Sequence, residues 1–150
     1  MSEGIPLADS DRWDWLTRLQ EECLDRLETS GARGLVLTCS ALKRKYRDVI
    51  RAAISYDHDL IIRFIYLYAD EAVLIQRVGA RLGHFFGAEL VHSQVISLEP
   101  PKPREKDIIK VDVSGDFEVV KKNVLARIQE AQQEGSLLED DSTISTIFPI

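Results

Sequence analysis

Gly34-Leu-Val-Leu-Thr-Cys39, followed at once by Ser40-Ala-Leu-Lys-Arg-Lys-Tyr-Arg-Asp48, is the stretch that decides the fold. Its first part is short and apolar, as expected of a strand buried on both faces. Its second part predicts a basic helix over 40–53, with Ser40 at the start and Tyr46, Val49, Ile50 and Ala53 on the inner face. Upstream, Leu16, Leu19, Cys23, Leu24 and Leu27 recur at three- and four-residue steps. That spacing predicts an amphipathic helix over 11–29, capped by Asp9, Ser10 or Asp11 and closed by Gly31. Downstream the alternation repeats. A second strand is predicted over 60–67, a helix over 70–81, and a shorter helix over 88–98 that stops before Pro100-Pro101. A third strand is predicted over 107–113. A long helix over 116–134 then carries Phe117, Val120, Val124, Ile128 and Ala131 on one face, with Gly135 as its C-terminal cap.

Strands alternating with helices imply an α/β fold with a parallel sheet between helical layers. The 150 residues, 45% hydrophobic, suffice for one core. One domain is expected over 1–134, with a lid at about 77–99. The acidic, Ser/Thr-rich remainder, 135–150, is expected to be a disordered tail in which the final Ile-Phe-Pro-Ile150 could dock. Ligands of such sheets bind beyond the C-terminal ends of the strands, which directs attention to Cys39-Ser40-Ala41 and to the chain after Tyr68.

Several function classes are disfavoured. A net charge of −6 argues against a general nucleic-acid binder. The longest apolar run, 60–68, holds Arg63 and is far shorter than the roughly 20 residues of a spanning helix, so no membrane partner is expected. The start, Met1-Ser-Glu-Gly-Ile-Pro-Leu7, has neither the basic nor the apolar part of a signal peptide, which makes a cytoplasmic location the expectation. Cys23 and Cys39, the only cysteines, lack metal-ligand spacing and read as reduced thiols.

Two basic segments could carry chemistry. In 39–48 a helix N-terminus offers free N–H groups, and Lys43 and Arg47, four apart, could hold a carboxylate, Arg47 with a two-pronged contact. A solvated basic helix face is the alternative. In 77–86, Arg77 and Arg81 are four apart at a helix end, with glycines flanking Arg81. Arginines on a closing flap suit phosphoryl transfer, where charge must be matched and water excluded; cations that merely offset the helix dipole are the alternative. His84 has no base or metal partner in sequence. Asp9, Asp11 and Asp14 could form a metal cluster, but Asp9 and Asp11 read as helix-start acids and capping is the favoured role, with Trp13 and Trp15 as packing anchors. No metal site is expected. None of the eight glycines directly precedes a lysine, so the phosphate-cradling G-x-x-x-x-G-K-[ST] does not occur in the sequence.

Four blocks together, Gly4-Ile-Pro-Leu-Ala-Asp-Ser-Asp-Arg-Trp-Asp-Trp-Leu16, Cys39 to Asp48, Gly83-His-Phe-Phe86 and Ser93-Gln-Val-Ile-Ser-Leu-Glu-Pro100, resemble the gluconokinase family, in order and at suitable distances. The resemblance covers about 1–128. It implies ATP-dependent phosphorylation of D-gluconate to 6-phosphogluconate on a P-loop nucleotide-kinase-like fold, a sugar acid as the small-molecule partner, and a homodimer as the common assembly. By motif, Ser40, Lys43, Arg47, His84 and Gln94 become substrate-binding positions. Arg77 and Arg81 become lid arginines that meet the nucleotide and the charge of the transferred group.

The sequence departs from the family pattern in starting after the first strand, P-loop and first helix. ATP and Mg²⁺, which serve complete members, are therefore not expected to be held securely. A catalytically dead sugar-acid-binding or dimerisation protein is the alternative function. The family also places its first strand between those matching Leu35–Thr38 and Arg63–Tyr66, so an uncovered inner edge and poor stability are expected unless another segment fills the gap.

Overall fold

The computed structural model describes residues 8–56, 60–80, 88–136 and 144–149. Its elements are α1 (Asp9–Ser30), α2 (Arg44–Arg51) running into a 3₁₀ turn (Ala52–Ser55), β1 (Leu60–Tyr68), α3 (Glu71–Gly79), α4 (Ala88–Ser97), β2 (Ile108–Asp112), α5 (Phe117–Ser136) and β3 (Ile144–Pro149). The sheet is parallel, in the order β2-β1-β3.

β1 is the strand around which the rest packs. Phe64 faces Ile108 on one side in register, and Leu60 faces Ile144 on the other. Because both edges are paired, the strand can be apolar on both faces: Leu60, Ile62, Phe64, Ile65 and Tyr66 are all buried. Against one face lie Leu16 of α1, Ala41, and Tyr46 and Ile50 of α2, with Leu24, Leu27, Leu37 and Cys39 at the margin.

The structure corrects the expected strand at 34–39. Among the described residues this segment makes only an isolated bridge at Val36, whose side chain is 72% exposed. Leu37 and Cys39 still pack against the core, so the apolar composition reports burial without a ladder of hydrogen-bonded neighbours. Of the tail expected over 135–150, residues 137–143 lie outside the described residues. Residues 144–149 pair with β1 along the edge away from β2, and Gly135 lies within α5 rather than capping it. No helix among the described residues is long and apolar enough to cross a membrane.

The helix expected to begin at Ser40 begins at Arg44 instead, because a buried arginine holds the preceding turn in an extended path. Arg47 is 0% exposed. It grips Glu105 with two prongs, Nε to Oε2 and Nη2 to Oε1, each at 2.9 Å. Its Nη1 donates to the carbonyls of Ala41 and Leu42 (both 3.2 Å) and Glu99 (3.3 Å). Arg51 adds bonds to Glu105 Oε2 (2.9 Å) and Asp107 Oδ2 (2.6 Å) and lies over the Phe64 ring. Two backbone-level links close the arrangement: Glu99 N–H donates to Leu42 O and Arg44 N–H to Glu99 Oε2, both at 2.9 Å. The turn before α2 is thereby fixed to the chain that leaves α4 and enters β2.

Three outcomes are expected. Removing one partner of a buried pair leaves an uncompensated charge, so Arg47→Met or Glu105→Ala alone should destabilise the chain by about 3–5 kcal/mol in urea unfolding, whereas the Arg47→Met/Glu105→Leu double variant should recover much of the loss. Burial by itself would raise the Glu105 carboxyl, but hydrogen bonds from Arg47, the Lys102 N–H and Arg51 outweigh it and hold the group down at about 2. With the folded value below the ordinary 4.5, the ionised form stabilises the fold above that value, and the contribution is lost as pH falls from about 4.5 to about 2; Glu105→Gln should flatten the unfolding midpoint across that window. Deleting 137–150 uncovers the β1 edge, so the thermal midpoint should drop and the amides of residues 60–65 should exchange rapidly. Slow exchange there in the shortened chain would show that β3 does not guard that edge.

Candidate functional site

A polar cavity of about 270 Å³ opens where the first turn of α1 meets the start of α2, lined by Asp9, Arg12, Leu42, Lys43, Tyr46 and Ser97 together with Ala8. The spacing i, i+3, i+4 brings Asp9, Arg12 and Trp13 onto one face of α1, the face turned toward α2. Asp11, not Asp9, serves the helix start: its Oδ2 accepts the Ala8 N–H at 2.8 Å. Asp9 instead accepts from Lys43 Nζ at 2.8 Å and from Lys45 Nζ and the Tyr46 hydroxyl. The bonds from Lys43, then Lys45, then Tyr46 hold the Asp9 carboxyl far below the usual carboxylate range. Burial, with the Asp9 hydrogen bond second, pushes the Tyr46 phenol up to about 12, so it remains a donor at neutral pH.

Aromatic rings bind the cations together. Arg12 lies 5.7 Å from the Tyr46 ring centre and Lys43 5.8 Å from it, while Lys45 sits 5.7 Å from the Trp13 ring. The Trp13 and Tyr46 rings meet edge to face at 6.1 Å. Three cations around one carboxylate leave a local positive surplus on a chain that is acidic overall. Low-dielectric ring faces strengthen that field, and such a concave positive site attracts a small anion.

A second, larger cavity of about 500 Å³ lies at the C-terminal end of β1, between α3 and α4. Its walls include Tyr66, Tyr68, Leu74, Val91, Val95 and Leu98, with Gln94, Asp70 and Glu71 among the few polar groups. Leu42 lines both cavities. The location fits the rule for parallel sheets, but the lining is apolar and suits a polyhydroxylated acid poorly.

The sequence-derived candidates therefore separate. Lys43 lines the polar cavity and Gln94 the apolar one. Ser40 is exposed on the turn and lines neither. Arg47 lines neither cavity: its donors go to Glu105 and three carbonyls, and it braces the wall behind Lys43. Arg77, at the exposed end of α3, donates from Nη2 to Gly115 O at 2.8 Å. Arg81 and His84 lie outside the described residues. Sequence reasoning missed Asp9, Arg12, Trp13, Tyr46 and Ser97 as site residues. The signal was the helical spacing of the first three, which capping explained too readily. Among the described residues no group of three or more His, Cys, Asp or Glu could hold a metal ion.

No family model matches the sequence. A probable gluconokinase of Schizosaccharomyces pombe is 44% identical over 118 residues, spanning 79% of this chain and 61% of the relative. The thermoresistant gluconokinase of Escherichia coli is 33% identical over 132 residues, 88% of this chain and 71% of that protein. The crystal structure of a gluconokinase from Sinorhizobium meliloti superposes with a TM-score of 0.75 at 33% identity, covering 93% of this chain and 74% of that one. The chain spans about three fifths of the first curated relatives it matches, 61% and 59% of their lengths. A parallel α/β sheet, sequence identity across most of the chain and a superposing gluconokinase structure agree, and the chain belongs to the gluconokinase family.

Proposed function

We propose that this protein serves the phosphorylation of D-gluconate to 6-phosphogluconate, with ATP as donor, and that the polar cavity seats the sugar acid. The observation that carries the reading is the positive surplus around Asp9 in a cavity of about 270 Å³. That volume is just under the roughly 300–1,000 Å³ of drug-sized sites, as suits a six-carbon acid. Lys43 and the Tyr46 hydroxyl offer donors, Asp9 offers acceptor capacity for sugar hydroxyls, and Ser97 offers both. The family relatives are named gluconokinases, which supports the choice of acid.

In this reading Arg77 and Arg81 match charge on the transferred group, while Ser40, His84 and Gln94 meet substrate. The described residues by themselves do not fit a nucleoside triphosphate. No glycine-rich turn precedes a lysine, and Arg77 alone among the candidate phosphate cations lies within them. The polar cavity would serve equally in a second reading, a sugar-acid-binding or dimerising protein that performs no transfer.

ADP release on addition of D-gluconate, measured for this chain and for one carrying a G-x-x-x-x-G-K-[ST] segment ahead of Met1, separates the two. Turnover in the extended chain is expected, with Lys43→Ala weakening gluconate use about tenfold or more, mainly through KM. Gluconate binding without turnover in either chain selects the second reading, and no response to gluconate removes both.

A further inference from the structure

Arg47 would have supplied the planar, two-pronged contact that a carboxylate favours, and Glu105 already occupies that fork. Among the described residues lining the polar cavity, a guanidinium comes from Arg12 rather than from Arg47. Arg12 is half-buried there and makes no hydrogen bond or ion pair among the described residues. Its neighbours differ in this respect, since Lys43 and Lys45 are both engaged by Asp9. Among the described residues the contact that orients Arg12 is the Tyr46 ring, 5.7 Å away, and that ring is itself fixed by burial and by its hydroxyl's bond to Asp9.

We propose that Arg12 is the carboxylate-reading residue of the polar cavity, which selects sugar acids over neutral polyols of the same length. The inference rests on the sugar-acid reading of that cavity. Three features support it. A guanidinium held over an aromatic face loses little further freedom when it binds, so the contact is preorganised. Among the described residues its N–H groups find no protein acceptor, which leaves the fork open to a ligand. Asp9 lies one helical turn away, occupied by Lys43, Lys45 and Tyr46, and so does not quench Arg12. The division of labour follows: Arg12 takes the carboxylate, while the Asp9 cluster presents fixed donors and acceptors to the hydroxyl-bearing chain. A neutral polyol would leave the Arg12 fork desolvated and unpaired, which is how a polar site rejects an analogue lacking its charge.

Calorimetric titration of the full chain with D-gluconate and with D-glucitol, its neutral counterpart, tests this. The parent should prefer gluconate. Arg12→Gln should weaken gluconate binding about 10- to 100-fold and leave glucitol unchanged, collapsing the discrimination ratio, which a merely structural lesion would not do selectively. Arg18→Gln, a change on the exposed side of the same helix, should behave as the parent. Arg12→Lys keeps the charge without the fork and should lose part of the preference; it decides the matter if Arg12→Gln does not fold, because an undiminished ratio in Arg12→Lys overturns the proposal. An unchanged ratio in a folded Arg12→Gln also overturns it while leaving the cavity reading in place. Failure of the parent to bind gluconate at all overturns the cavity reading and the proposal with it.

Discussion

The ion pair between Arg47 and Glu105 is the constraint on which the other parts of this structure rest. A guanidinium without solvent contact is costly unless every donor finds an acceptor, and here the acceptors come from three places in the chain: the turn at 41–42, the carbonyl of Glu99 and the carboxylate of Glu105. Satisfying one side chain therefore brings the start of α2, the end of α4 and the approach to β2 together. Lys43 and Leu42 stand where they do because the residues around them are held. The polar cavity inherits its wall from this pair, and the apolar cavity shares that wall through Leu42.

The division between the cavities follows from chemistry as much as from position. One is rimmed by cations stacked on Trp13 and Tyr46 around a single carboxylate; the other is rimmed by Tyr66, Tyr68 and aliphatic residues from α3 and α4. The Glu71 to His92 contact, 2.7 Å, ties α3 to α4 on the outside of the apolar one. Charge and greasiness are thus kept apart in adjoining spaces, with one leucine between them.

Much of the fold was legible because periodicity reports burial directly. β1 is read as 60–67 and observed as Leu60–Tyr68, α4 as 88–98 and observed as Ala88–Ser97, and β2 differs by a residue at each end. What pattern cannot report is the partner. The 34–39 segment has a strand's composition, yet a strand exists only where another runs beside it, and here a single bridge forms at Val36. The candidate site was half legible for the same reason. Lys43 and Arg47 share a helical spacing, but Lys43 is the extended residue ahead of α2 while Arg47 lies on its buried face beside Tyr46 and Ile50. Nothing local announces that Glu105, 58 positions away, claims Arg47. Asp9 and Arg12 were visible as residues, and their convergence on Tyr46 was not.

The order of the sheet bears on how the molecule comes into being. Neither neighbour of β1 is close to it in sequence: β2 follows after two helices, and β3 only after a further helix beyond that. The described strands form no hairpin that could nucleate the sheet, so both edges of its most apolar strand wait on slow closure of long loops. During that interval β1 is a bare, sticky ribbon, and chaperone capture or self-association competes with completion on the kinetic path rather than at equilibrium.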